Sequence, residues 1–423
     1  MLDVAIVGGG LCGLALAHSL QAAKGISWGL FEARERFGGR IRTRRGPDGT
    51  PVDLGATWFW PSHQPNITRL LADLQLPTLP QADDGRVLHL HDGTQPPRLV
   101  ALQANLQPAT APDVPARPGQ VHGGARRVVG GMQAVIDRLA RPLPASRLHL
   151  GLRLVAVHDH GSHVSLTLSD QGVTQVIHRR HVVLALPPRV LAASVACTPP
   201  LPEAVQTALR NTPTWMATAA KAAYVYRRPF WREQGLSGNA WVTHSQAMLA
   251  EVFDASGPDA HTADADGKGE GKGPGGVPYP GAALAGFAAL PASQRPAFAR
   301  GRELLLESQV VQLFGATAAD PGMHLATFWQ DWAEDDTTCT PQDVADEDQG
   351  LAGHPQYGLP LLAEAQWGGR LLLGGTETAL RGGGYLEGAL GAAARVRKQL
   401  RALGLDEARP QAANDTAAPE VPA

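Results

Sequence analysis

The stretch Val4-Ala5-Ile6-Val7-Gly8-Gly9-Gly10-Leu11-Cys12-Gly13, followed by a helical run from Leu14 to Ala22 and an apolar run from Trp28 to Phe31, decides the fold. Val4 to Val7 is a short apolar run of the kind buried on both faces of a parallel sheet. Gly8, Gly10 and Gly13 spell G-x-G-x-x-G between that strand and the helix. The first glycine permits a tight turn, the second lets the backbone approach a pyrophosphate, and the third allows the helix to pack close to the strand. The N-terminus of the helix then turns its positive end toward the phosphates. Glu32 closes the second strand, 19 residues after Gly13. A carboxylate there accepts hydrogen bonds from both ribose hydroxyls and repels a 2′-phosphate. The glycine pattern alone is a weak signal, but strand, helix and acid agree on a dinucleotide site. NAD and FAD both remain open at this point.

The rest of the composition narrows the class. With 423 residues, 43% hydrophobic and 18% charged, the chain is long enough for two packed units sharing a ligand. A formal net charge of -2 provides no basic field to gather nucleic acid or anionic lipid. Three scattered cysteines, Cys12, Cys197 and Cys339, make neither a disulfide framework nor a zinc site. No apolar run reaches the roughly 18 residues of a spanning helix, and no cleavable leader precedes Val4. A soluble, cytoplasmic protein with no membrane or nucleic-acid partner is the expectation.

Along the chain, helices are expected over 67–76, 132–140, 304–314 and 386–403. Strands are expected over 149–157, 164–168, 181–186, 219–226 and 371–373. The stretch from Pro77 to Pro118, rich in Pro, Asp and Gln, reads as irregular surface or a small subdomain. Residues 255–280 (ASGPDAHTADADGKGEGKGPGGVPYP) cannot bury enough apolar area to offset their ordering entropy and read as a flexible loop. The Ala-, Pro- and acid-rich tail, 406–423, reads as disordered.

Several further elements favour FAD. Glu32-Ala33-Arg34-Glu35-Arg36-Phe37-Gly38-Gly39-Arg40 resembles the E-A-x-x-R-x-G-G-R signature of the FAD-dependent amine oxidase superfamily. Arg36 and Arg40 offer guanidinium forks for phosphate oxygens, with Arg34 nearby, while Gly38 and Gly39 let the main chain pass close to the cofactor. Asp53-Leu54-Gly55-Ala56-Thr57-Trp58 is similar to the D-x-G-x-x-W element beside the flavin. Gly374-Gly375-Thr376-Glu377-Thr378-Ala379, leading to Gly384-Tyr385-Leu386-Glu387-Gly388-Ala389, resembles the paired G-T-E-T and G-Y-x-E-G-A elements along the ribityl chain and the flavin ring. Lys221 to Arg232 is similar to the family's K-x-x-x-x-Y-x-x-P-F-W-R strand, read as structural lining of the substrate half. The resemblance covers most of the chain and is to the flavin-dependent monoamine oxidase family.

That resemblance implies an α/β, two-domain FAD-dependent oxidoreductase, with a Rossmann-like FAD-binding domain and a mixed-sheet plus helical substrate domain. The implied division is 1–62, 127–200 and 340–405 for FAD, and 63–126 with 201–339 for substrate. It implies FAD contacts from Gly8, Gly10, Gly13, Glu32, Arg34, Arg36, Gly39, Arg40, Gly55, Ala56, Thr57, the Val155 backbone, Trp332, Thr376, Glu377, Gly384, Tyr385 and Leu386. Tyr385 is the expected catalytic residue, one wall of an aromatic cage about the substrate amine, while Thr337 and Thr338 are expected beside the flavin. The reaction implied is oxidation of a small amine to an imine, with oxygen reduced to hydrogen peroxide.

Two departures from the family pattern carry expectations of their own. The family's cysteine–tyrosine pair falls near Pro341 and Gln342; Cys339 stands two residues early and no tyrosine follows it, so FAD is expected to be non-covalent. The lysine that many members place near the flavin falls at Ala292 or a neighbour, where this chain has none, so slower reaction with oxygen, or another acceptor, is expected. His354 is read as a loop residue without a catalytic role. Arg126 and Arg127 are the candidates to receive a substrate carboxylate. A desaturase or protoporphyrinogen-type oxidase is the alternative, favoured by a pocket in which Tyr385 lacks an aromatic partner; a flavin-binding scaffold without turnover is the third reading.

Overall fold

Val4–Val7 lies at the centre of a parallel sheet in the computed structural model, which describes residues 2–23, 25–102, 108–109, 119–258, 281–351 and 353–405. The strand order is Leu148–His149, Trp28–Phe31, Val4–Val7, His181–Leu184, Leu371–Leu373. Val4 stands opposite Trp28 on one side and His181 on the other. Side chains alternate between two cores with the strand period of two. Val4, Ile6, Leu30, Val183 and Leu372 face the helices Leu11–Ala22, Gln133–Ala140 and Leu386–Ala402. Ala5, Val7, Phe31, Val182, Leu184, Leu371 and Leu373 face the opposite way, onto Leu154, Val164, Leu166 and Leu168. Burial on both faces is why the strands read as unbroken apolar runs.

The residues packed on that second face come from a four-stranded sheet, in the order Val173–Arg179, Val164–Asp170, Arg153–Asp159, Ala196–Thr198. Its register slips between Leu154 and Ala156, so a bulge falls at Val155. A larger sheet forms the other half of the molecule. Its order is His324–Asp331, Ala220–Tyr226, Ala282–Ala288, Leu249–Asp254, Leu236–Val242, Arg86–Leu90, Arg98–Leu102, Pro108–Ala109. Its ladders are antiparallel except where Leu236–Val242 runs parallel to Arg86–Leu90. The α/β architecture of a Rossmann-like sheet with a second, mixed-sheet and helical unit is as expected.

One expectation is corrected. In the described part of the stretch from Pro77 to Pro118 the chain is not irregular surface: Thr78–Pro80 pairs with Arg126–Val128, and Arg86–Leu90 and Arg98–Leu102 extend the large sheet, while 103–107 and 110–118 lie outside the described residues. Val87, Leu88 and Leu90 are buried there, and that apolar fit outweighs the surrounding Pro and Asp. Of the segment expected to be flexible, Ala255–Pro258 is described and 259–280 lies outside the described residues, as does the tail from 406 onward. Among the described residues no helix is long and apolar enough to cross a membrane.

Candidate active site

The two ends of the chain meet behind the glycine turn. The Gly375 N–H donates to the Cys12 thiol sulfur at 3.2 Å. Arg40 Nη2 stands 2.7 Å from Glu377 Oε1. Glu387, in the first turn of the last helix, accepts from the Asn66 and Ile67 amides at 2.9–3.1 Å and so satisfies the free N-terminus of the helix Pro65–Asp73. These contacts bring three of the sequence elements around one cavity of about 440 Å³, within the range of small-molecule sites.

At the nucleotide end the lining is Gly8, Gly10, Glu32, Arg34, Gly39 and Leu154. Glu32 is held by the Gly9 amide at 2.7 Å and the Arg34 amide at 2.9 Å. Arg34 continues to Asp335 and to Thr338 Oγ1, the latter at 2.7 Å, which fixes the segment after Trp332 against this end. Gly10 and Gly39 face each other: a Cβ on Gly39 would stand 3.4 Å from Gly10 Cα. This pair of side-chain-free positions forms a cradle for backbone contact with a ligand.

Three of the expected contacts are placed differently. Gly13 does not line the cavity; it packs under the turn, where a Cβ would fall 1.9 Å from Gly8 O. Arg36 turns its guanidinium onto the carbonyls of Phe37, Gly39 and Ile41, at 2.8–3.3 Å, and is absent from the lining. It braces the loop from within because three carbonyls of a tight turn need donors. Val155 is likewise outside the lining, which Leu152, Arg153 and Leu154 supply, although the bulge sits at Val155.

The middle of the cavity is walled by Arg40, Gly55, Ala56, Thr57, Trp332, Thr337, Thr338, Thr376 and Glu377. Glu377 is only 1% exposed, and neither carboxylate oxygen receives a hydrogen bond despite the ion pair with Arg40. Trp332 anchors by donating its indole N–H to Leu54 O at 3.0 Å.

Aromatic side chains close the far end: Trp58, Trp60, Trp215, Phe287 and Tyr385, with Gly384 and Leu386 beside the last. Gly384 has φ +82°, and a Cβ there would come within 3.0 Å of Trp215, so glycine lets the tyrosine and tryptophan approach. Their ring centroids are 6.4 Å apart. His354 fills the gap behind, stacked on Tyr385 at 4.9 Å and edge-on to Trp215 at 4.5 Å. The loop histidine therefore braces the aromatic wall. Nothing in the local sequence Thr214-Trp215-Met216 signals this; only the tertiary fold brings Trp215 to Tyr385.

Lys221 stands in a cross-strand row of the large sheet, Gln330–Lys221–Phe287–Glu251. Its Nζ donates to Gly55 O and Thr57 Oγ1, each at 2.7 Å, and lies 4.4 Å from the Phe287 ring centroid. Burial pushes its amine down to about 8, while nearby Asp53 and Glu251 act in the opposite sense. Ala292 is buried away from the cavity, its N–H donated to Glu347. The cavity thus has a lysine, on the strand Ala220–Tyr226, which pairs with Ala282–Ala288; Ala292 lies in the turn beyond the end of that partner strand. Cys339 is buried outside the lining, and burial pushes its thiol up to about 12. Arg126 and Arg127 do not reach the cavity either: Arg126 bonds to Thr78 and Arg127 to Ser256 O.

Residues 116–397 match the sequence pattern of the family described as flavin containing amine oxidoreductase. The chain belongs to this family. Residues 6–74 also match an NAD(P)-binding Rossmann-like domain. Flavin-containing amine oxidase B of Sus scrofa is 24% identical over 95% of this chain and 86% of its own length, and that of Bos taurus 23% identical over the same shares. Cyclohexylamine oxidase from Brevibacterium oxydans superposes with a TM-score of 0.70 at 19% identity, covering 95% of this chain and 99% of that one. Putrescine oxidase bound to putrescine gives 0.68 at 19% identity, with the same coverage. The flavin amine oxidoreductase family makes this chain an oxidoreductase acting on amines with a flavin cofactor.

Proposed function

We propose that the chain oxidises a small neutral amine to an imine with FAD held non-covalently, and passes the electrons to oxygen to give hydrogen peroxide. The observation that carries this reading is the aromatic end of the cavity, Trp58, Trp215, Phe287 and Tyr385, continuous with the glycine cradle and Glu32. The residues fit FAD: the facing glycines admit a pyrophosphate, Glu32 suits ribose hydroxyls, and the unsatisfied Glu377 carboxylate suits a polar ligand within the cavity. Gly8, Gly10, Gly39, Arg34, Arg40, Gly55, Ala56, Thr57, Trp332, Thr376, Gly384 and Leu386 are assigned to the same group. When bound, FAD supplies the two-electron redox chemistry.

The protein's own share is binding, orientation and exclusion of water. Tyr385 and Trp215 line the substrate end side by side, with His354 stacked on the tyrosine. A protonated Lys221 repels an ammonium ion in this poorly hydrated space, so the neutral amine is the form admitted. The aromatic partner that Trp215 gives Tyr385 favours an amine over a desaturase-type substrate. Anaerobic mixing with a panel of primary, secondary and diamine substrates tests the reading. At least one amine should bleach the flavin absorbance fully; a panel that leaves it oxidised removes the proposal.

The state of Cys12 and Cys339 supports non-covalent attachment. Cys339 is outside the cavity lining, and Cys12, which touches the cavity, is pushed up to about 11 by burial and is a poor nucleophile. Acid precipitation should therefore leave the yellow chromophore in the supernatant; chromophore in the pellet would refute the assignment.

Lys221 gives a pH prediction. Below about 8 the buried amine is charged and repels the ammonium form of the substrate beside it; above, it is neutral and that repulsion lifts. kcat/KM should rise with pH through an ionisation near 8, and Lys221→Met should abolish that limb while the substrate's own ionisation stays. An unchanged profile in the variant would assign the limb elsewhere.

A further inference from the structure

Away from the cavity, the four-stranded sheet gathers four imidazoles at one end. His158 and His178 flank Ser165 in register across three strands. His160 and His163 come from the turn joining Arg153–Asp159 to Val164–Asp170, where the His160 N–H donates to His163 O at 2.9 Å. The rings are in contact: His158 on His160 at 4.3 Å, His160 on His163 at 4.6 Å, and His163 edge-on to His178 at 5.2 Å. One ligand atom from each of His160, His163 and His178 lies within 4.8 Å of the other two.

We propose that His160, His163 and His178 bind one borderline divalent transition-metal ion of the zinc and nickel class, with water completing its shell. Three convergent imidazoles are the donor set such ions prefer. Asp159, a carboxylate beside them, is engaged by Arg370 at 2.6 and 2.9 Å, so the donor set on offer is imidazole nitrogen and not the oxygen that hard ions such as Mg²⁺ prefer. Metal–nitrogen distances of about 2.0–2.1 Å bring ligand nitrogens to roughly 3.4 Å apart. Rotation of the exposed His160 and His178 side chains achieves that closure without moving the strands. Hydroxyls already sit on two of the rings, Ser165 Oγ 2.9 Å from His160 Nε2 and Ser162 Oγ 3.1 Å from His163 Nδ1, the kind of partner that orients a ligating imidazole.

The ion would tie the 160–163 turn to the edge strand Val173–Arg179, two strands from Arg153–Asp159, which carries Arg153 and Leu154 at the nucleotide end of the cavity. Binding to the folded state alone raises stability by mass action. The test is calorimetric titration of the metal-stripped, full-length protein with Zn²⁺ in excess Mg²⁺, paired with thermal unfolding. One equivalent should bind and raise the unfolding midpoint. The His160→Ala/His178→Ala double variant should weaken that binding roughly tenfold or more and lose the thermal response, with circular dichroism and flavin absorbance unchanged. A double variant that binds Zn²⁺ as tightly as the parent would place the ion at other histidines, such as His89 and His91. That result, or a parent that shows no heat of binding, overturns the proposal.

Discussion

Gly13→Ala is expected to yield protein without bound flavin. The new Cβ would fall 1.9 Å from Gly8 O and 3.2 Å from Gly8 C, both backbone atoms of the turn that opens the cavity. No rotamer relieves a backbone clash, so the helix Leu11–Ala22 must draw back from Val4–Val7. That opens the interface among Ile6, Leu14 and Val183 and costs about 1–3 kcal/mol, the range for overpacking. It also displaces the helix N-terminus from the cradle. Gly10→Ala supplies the contrast. Its Cβ would meet only Gly39 Cα, at 3.9 Å, so the fold accepts it while the cradle loses room for a pyrophosphate. The two variants should both lose flavin, measured as absorbance per protein after purification, but only Gly13→Ala should unfold earlier in denaturant. Full flavin occupancy in Gly13→Ala would show that helix position does not control the cofactor.

The strands around that glycine turn were legible because their burial is local. Val4–Val7 and Trp28–Phe31 are covered on both faces, and the acid at Glu32 and the glycine spacing sit within one βαβ unit. The substrate half was harder to read. Ala282–Ala288, Ala-Ala-Leu-Ala-Gly-Phe-Ala, is rich in helix-forming Ala and Leu and poor in β-branched residues, and becomes a strand because Ala220–Tyr226 and Leu249–Asp254 pair on either side. The aromatic wall had the same difficulty: Tyr385 is marked by its motif, whereas Trp215 and His354 reach it from segments whose own sequence carries no periodic signal. Arg36 shows the opposite error. A guanidinium within a cofactor motif suggests phosphate, but three loop carbonyls lie closer and take its donors. Motif spacing reports the path of the backbone; which way a long side chain turns is decided by unsatisfied groups around it.

Removing Arg40 tests whether the closure of the chain's two ends maintains the site. Its guanidinium faces two demands at once, donating to Trp215 O at 3.0 Å and pairing with Glu377 at 2.7 Å. Glu377 is almost wholly buried, and Arg40 is 27% exposed, so water screens one partner and not the other. Arg40→Ala leaves a buried carboxylate with no cation and frees the aromatic wall's Trp215 from its tether. Breaking a fully buried pair costs about 3–5 kcal/mol; with Arg40 partly in water the expectation is the lower end, about 3 kcal/mol. Flavin should be lost along with stability, because both residues line the middle of the cavity. Adding Glu377→Gln to Arg40→Ala removes the stranded charge and should recover most of the stability but none of the flavin. Chemical denaturation of the parent, both single variants and the double variant measures the coupling. A coupling near zero would mean that the ion pair is incidental and that the other contacts, packing of Leu11–Ala22 on Leu386–Ala402 and the Cys12–Gly375 and Asn66–Glu387 hydrogen bonds, join the two ends without it.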